Sequence, residues 1–230
     1  ARIATRRLSK APRPLRLSYA GQVLRVRGSQ LRPERQFTQV GAELIGPEEA
    51  AADAEVIVLA AGALAKLGIN DISIDLGLPK LVDGVLEKFG KNLKSRSRLR
   101  QALDRKDAAA VANLNDELSE DAIQTLTSML NATGPASEAL KNLAALSFTG
   151  KAQAGHNLLT DVVDRVHTAL PNLALTIDPV ENRGFEYHTG VTFTFFAKGV
   201  RGELGNGGRY TANSNNKNIK EEAATGFTLF

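Results

Sequence analysis

The sequence predicts an α+β fold: an antiparallel sheet flanked by helices, with a small helical insertion. Three observations give that class. Strand-like runs with hairpin spacing lie near both ends, amphipathic helical patterns fill the stretch between them, and no glycine-rich strand-to-helix turn of the dinucleotide type is present.

The first run is Leu15, Leu17 and Tyr19 alternating with Arg16 and Ser18, which predicts a strand reaching Arg25. Turn formers fill residues 28–33, and Gln36 to Ile45 reads as a second strand, so the two make a hairpin. From Pro47 a helix runs toward Leu67, with Ile57, Ala60, Leu64 and Leu67 on one face and Gly68 as its stop. Asn70 and Asp71 turn the chain into a strand marked by Ile72, Ile74 and Leu76. Residues 80–170 then read as several short helices, broken at Gly90, at Asp104 to Asp107, at Thr133-Gly134-Pro135 and at Thr149-Gly150. The last of them carries Leu159, Val162, Val163, Val166 and Leu170 along one stripe. Strand patterns resume at Leu173, Leu175 and Ile177 and again at Val191, Phe193 and Phe195, and the polar run Asn213 to Asn218 reads as a loop. The expected organisation is a core of residues 1–79 and 171–230 with the helical block 80–170 inserted.

Composition narrows the chemistry. Cysteine is absent, which excludes disulfides, thiolate metal ligands and a cysteine nucleophile, and only His156, His167 and His188 supply imidazole. The apolar stretches fall short of a bilayer span and no signal-peptide pattern opens the chain, so a soluble cytoplasmic protein is expected, with no metal and no cofactor. The net charge of +4 is unevenly spread: residues 1–35 alone carry +9 and the remainder −5. Such a local arginine cluster suits phosphate or an acidic partner, and equally a solvated basic face.

Three segments concentrate reactive side chains. Arg25, Arg27, Arg32, Arg35, Gln39 and Glu43 lie on the predicted hairpin, and residues four apart on a strand share a face. Gln39 and Glu43 can therefore face one pocket, where an amide beside a carboxylate suits an ammonium or ring N–H; a surface ladder of charge pairs is the plainer reading. Residues 181–190, Glu-Asn-Arg-Gly-Phe-Glu-Tyr-His-Thr-Gly, pack arginine, acid, phenol and imidazole together. Residues 205–210, Gly-Asn-Gly-Gly-Arg-Tyr, let a ligand approach the backbone or form a tight hairpin turn.

In this order the three segments resemble class II aminoacyl-tRNA synthetases of the histidyl type. Arg25 followed by Arg35-Gln36-Phe37-Thr38-Gln39-Val40-Gly41-Ala42-Glu43 is similar to motif 2, residues 183–190 to the histidine-specific arginine motif, and Gly207-Gly208-Arg209-Tyr210 to the glycine-rich strand that follows it. The resemblance implies an antiparallel sheet with a small helical insertion. It implies a histidine pocket of Gln39, Glu43, Arg183, Tyr187, His188 and Tyr210, and phosphate or nucleotide contacts from Arg25 and Arg35.

The departures from that pattern fall mainly on the nucleotide half. Arg27 stands where the synthetases have an acid that helps hold ATP, His188 where they have tyrosine, and Thr211 where they have aspartate. Motif 1 and the motif 3 arginine lie outside the sequence. The combination resembles the regulatory subunits of ATP phosphoribosyltransferase, synthetase relatives that do not aminoacylate. That group implies a non-catalytic protein that binds L-histidine, pairs with the short-form catalytic subunit as a homodimer within a hetero-oligomer, and transmits feedback in histidine biosynthesis, with no tRNA partner expected. A catalytic-core fragment of a histidyl-tRNA synthetase is the enzyme alternative.

Overall fold

A computed structural model describes residues 2–26, 35–89, 96–181, 187–212 and 221–230. The helices are α1 (Arg2–Arg6), α2 (Ala50–Lys66), α3 (Lys80–Phe89), α4 (Arg96–Asp104), α5 (Ala108–Ala112), α6 (Glu120–Asn131), α7 (Ala136–Ala144) and α8 (Gly150–Ala169). The strands are β1 (Leu15–Leu24), β2 (Gln36–Ile45), β3 (Ile72–Gly77), β4 (Gly134–Pro135), β5 (Ala174–Asp178), β6 (His188–Ala197), β7 (Gly205–Ala212) and β8 (Glu222–Leu229). They form one sheet in the order β1-β2-β8-β7-β6-β3-β5-β4.

The sheet is antiparallel except where β3 pairs with β5. The exception has a simple cause. The helical block leaves at the end of β3 and returns at the start of β5, and so long a crossover brings the chain back in its original direction.

One face of the sheet is covered by α2 and α8, which pack on each other. The predicted stripe of α8 is seen, with Leu159, Val162, Val163 and Val166 buried, and of the predicted α2 face Ile57, Ala60 and Leu64 are buried. Leu67 departs from expectation at 77% exposure, because it is the C-terminal cap of α2 rather than part of its face. Gly68 adopts φ +83° and donates to the Ala65 carbonyl while Ile69 donates to that of Leu64, the paired bonds of a Schellman stop. A single apolar cluster runs from Leu44 and Ile57 through Leu126 and Met129 of α6 to Phe193 and Phe227, so the helical block and the flanking strands share one core.

Gly205, Gly207 and Gly208, open in the sequence between strand and turn, lie inside β7 between β6 and β8. Strand β8 carries no period-2 signal in the sequence, and α1 is too short to carry a helical one. The latter rests Ala4 on a small second cluster with Ile45, Ala212 and Ala224, on the face away from α2. Gly90 and Asn213 to Asn218 lie outside the described residues.

Candidate functional site

Strand alternation sorts the chemistry onto two faces. Ala42 and Leu44 of β2 point into the helix-side core, so Gln39, Gly41 and Glu43 face the other way. Cross-strand pairing then builds rows across that open face. Tyr19, Gly41 and Thr228 are register partners, as are Leu17, Glu43 and Gly226, and Leu15, Ile45, Ala224 and Tyr210. His188 pairs with Tyr210 at the next strand.

The glycines of these rows make the space. A methyl group on Gly226 would overlap the Glu43 carboxylate, and one on Gly41 would overlap the Tyr19 hydroxyl. Glu43 therefore folds over Gly226 and Tyr19 lies across Gly41. Tyr210 donates to Glu43 Oε2 at 2.8 Å. The Tyr187 ring covers His188, with centroids 3.9 Å apart, and meets Tyr210 edge-on at 6.3 Å. His188 is buried at 2% exposure beneath it, whereas Tyr187 is 65% exposed. Gln39 Nε2 donates to Tyr19 Oη and to Thr228 Oγ1, each at 3.2 Å, and those two hydroxyls lie 2.6 Å apart.

Of the residues proposed from sequence, Gln39, Glu43, Tyr187, His188 and Tyr210 come together on this face, and Arg183 lies outside the described residues, as do Arg27 and Arg32. Arg25 and Arg35 sit apart, at the turn end of the β1–β2 hairpin. The Arg25 guanidinium lies 4.8 Å over the Phe37 ring and 5.7 Å from that of Phe230, and Arg35 Nε donates to the Arg25 carbonyl at 3.3 Å. Tyr19 and Thr228 were not singled out. Tyr19 had a signal, a phenol on the face otherwise held by Leu15 and Leu17; Thr228 had none.

Arg209, read with the glycine-rich segment, points to the opposite face. Its side chain donates to Asp53 Oδ2 at 2.9 Å and to the carbonyls of Pro47 and Glu49 at 2.9 Å each, tying β7 to the start of α2. Its neighbour Tyr210 thereby has a fixed backbone from which to hold Glu43.

Burial pushes the Glu43 carboxyl above the ordinary glutamate range, and the Tyr210 hydrogen bond pulls the other way. Burial and then the Glu43 charge push the Tyr210 phenol well above its ordinary range, and Tyr187 shifts upward for the same reasons. Both phenols stay neutral donors at pH 7, and among the described residues of this cluster Glu43 is the carboxyl group. Among the described residues no group of three or more His, Asp or Glu side chains is placed to hold a metal ion. The face is suited to a small cation with hydrogen-bonding capacity.

The raised Glu43 pKa carries a stability prediction. The native state holds the Glu43 proton more tightly than the unfolded chain does, so the associated stability is full below the ordinary glutamate pKa and is lost as pH rises through the higher folded value. Glu43→Gln keeps an acceptor for Tyr210 and has no proton to lose. Urea unfolding from pH 4 to 7.5 should show the variant gaining on the wild type across that window and holding the gain above it. A constant difference would remove the buried charge as its cause.

A histidyl-tRNA synthetase family model matches residues 1–230. The chain belongs to this family. Curated relatives include proteins named ATP phosphoribosyltransferase regulatory subunit: from Paramagnetospirillum magneticum at 53% identity and from Rhodospirillum centenum at 51%, each over the whole of this chain. The chain spans 58% and 57% of their lengths. A solved structure described as an ATP phosphoribosyltransferase regulatory subunit/histidyl-tRNA synthetase from Bacillus halodurans superposes at TM-score 0.82 and 26% identity, over 99% of this chain and 59% of that one. The fold is also that of an ATP phosphoribosyl transferase HisG:HisZ complex chain from Thermotoga maritima, at TM-score 0.73 and 16% identity over 97% of this chain and 76% of that one. The α+β architecture expected from the strand and helix patterns is thus that of the synthetase family core.

Proposed function

We propose that this chain is the synthetase-like part of a regulatory subunit of ATP phosphoribosyltransferase, non-catalytic itself, which binds L-histidine on the Gln39–Glu43 face and controls a short-form catalytic subunit. The observation that carries the reading is the 53% identity across all 230 residues to a relative of that name. The pocket chemistry agrees with it: a half-buried carboxylate held by Tyr210 suits the cationic amino group or ring N–H of histidine. In this reading residues 80–170 are an insertion in the synthetase-like core, Arg183 faces the ligand's carboxylate, and the protein works as a homodimer within a hetero-oligomer. Arg25, stacked on Phe37 and Phe230, and Arg35 are the candidates for any phosphate contact. The basic first segment, Arg2 to Arg35, is a candidate for part of the docking surface toward the catalytic subunit.

The test uses the full-length protein and the short catalytic subunit from the same source. The rate of ATP reacting with phosphoribosyl pyrophosphate is measured for the catalytic subunit alone, for the mixture, and for the mixture with histidine. Mixing should activate, and histidine should inhibit through a coupling of about 1–3 kcal/mol, roughly 5- to 150-fold. A catalytic subunit indifferent to the addition overturns the regulatory reading. Histidine-dependent pyrophosphate exchange by the protein alone would instead mark it as a synthetase.

A further inference from the structure

The amide of Gln39 is held in one orientation by two hydroxyls, and counting protons shows which. Gln39 Nε2, Tyr19 Oη and Thr228 Oγ1 form a triangle with sides of 3.2, 3.2 and 2.6 Å. With the NH2 group facing the pair, N–H donation reaches both oxygens at bent angles, and one hydroxyl donates to the other: every side of the triangle carries a proton. With the carbonyl oxygen facing the pair, the only protons available are the two hydroxyl ones. If one spans the 2.6 Å side, the other can reach the carbonyl and the third side is left without a proton. If both go to the carbonyl, two oxygen lone pairs meet at 2.6 Å. The first arrangement has three hydrogen bonds and the second at most two, so the NH2 group faces Tyr19 and Thr228. The carbonyl oxygen is then the atom of Gln39 left for a ligand, on the strand face shared with the Glu43 carboxylate.

An ammonium group can only donate, and a carbonyl oxygen on the same strand face as a carboxylate can only accept. We propose that Tyr19 and Thr228 are positioning residues that lock the Gln39 amide with its oxygen available, making this face selective for a ligand that carries a protonated amino group. This rests on reading the face as an amino-acid pocket, and it adds what sets the selectivity. Neither residue needs to touch the ligand. Without either hydroxyl the triangle is broken, the amide flips at little cost, and an NH2 group can confront the ligand's ammonium.

The experiment compares L-histidine with imidazole-lactate, in which a hydroxyl replaces the amino group and can serve as donor or acceptor. Calorimetry gives both affinities for wild type, Tyr19→Phe and Thr228→Val, with Thr228→Ser as the variant that keeps its hydroxyl. The preference for histidine should fall about tenfold in Tyr19→Phe and Thr228→Val and stay at the wild-type value in Thr228→Ser. Because the readout is a ratio between two ligands on one protein, a general loosening of the fold does not mimic it. A wild type that binds histidine while both hydroxyl-free variants keep its full preference overturns the lock alone. A wild type that binds neither ligand overturns the amino-acid pocket and the lock with it.

Discussion

Arg209→Met is expected to lower unfolding stability by about 3–5 kcal/mol, the range for removing one partner of a buried ion pair. At this chain length that corresponds to a fall in Tm of roughly 6–20 °C. The Arg209 and Asp53 side chains are 7% and 0% exposed, and Asp53 sits in the first turn of α2. Burial raises the Asp53 carboxyl pKa and the Arg209 guanidinium counters it. Methionine fills the volume and leaves Asp53 and the Pro47 and Glu49 carbonyls without the guanidinium that joined them. The double variant Arg209→Met/Asp53→Leu removes the stranded carboxylate and should recover part of the loss, the two carbonyls accounting for the remainder. Urea unfolding of the wild type, both single variants and the double variant measures this coupling. Strictly additive losses would mean that the pair does not act as a unit.

That ion pair also shows where sequence reading stops. The β1–β2 hairpin was legible because Leu15, Leu17 and Tyr19 alternate with polar residues and turn formers follow. The α8 stripe was legible because Leu159, Val162, Val163 and Val166 keep helical spacing. Strand β8 was not, because Ala224 and Gly226 are small where they back the site: Glu43 occupies the space a side chain at 226 would need. The same demand blurred β7, whose glycines read as a possible turn. In the site, Gln39 and Glu43 were legible as a pair four apart on one strand, and His188 and Tyr210 came with the family pattern. Thr228 and Asp53 were not, because each acquires its partner across strands or elements more distant than any local pattern reaches, and Tyr19 offered only its phenol on an otherwise aliphatic strand face. Arg209 was grouped with the pocket by its neighbours in sequence, yet strand alternation sends it to the opposite face from Tyr210. Arg25 and Arg35, also grouped with the chemistry, sit at the turn end of the hairpin, Arg25 against Phe37 and Phe230 and Arg35 on the Arg25 carbonyl.

For the proposed pocket, Glu43→Ala should weaken L-histidine binding by about 2–5 kcal/mol, or roughly 30- to several-thousand-fold, because it removes the carboxylate proposed to meet the ligand's cation in a partly desolvated site. The loss is expected to exceed that of Glu43→Gln, which keeps an acceptor for Tyr210 and for the ligand. Binding should also be linked to protons. Free Glu43 has a raised pKa, and an arriving ammonium favours its charged form, so the ligand draws that pKa down and histidine binding releases protons where the free site is partly protonated. The affinity should therefore rise with pH as the free carboxyl ionises, then level off once it is fully charged. Calorimetry in two buffers of different ionisation enthalpy reads the proton release directly, and Glu43→Gln should abolish its Glu43-dependent part. Equal affinities for wild type and Glu43→Ala would remove Glu43 from the site. A histidine affinity independent of pH, with no proton release in the window where Glu43 titrates, would place the ligand's cation elsewhere on the protein.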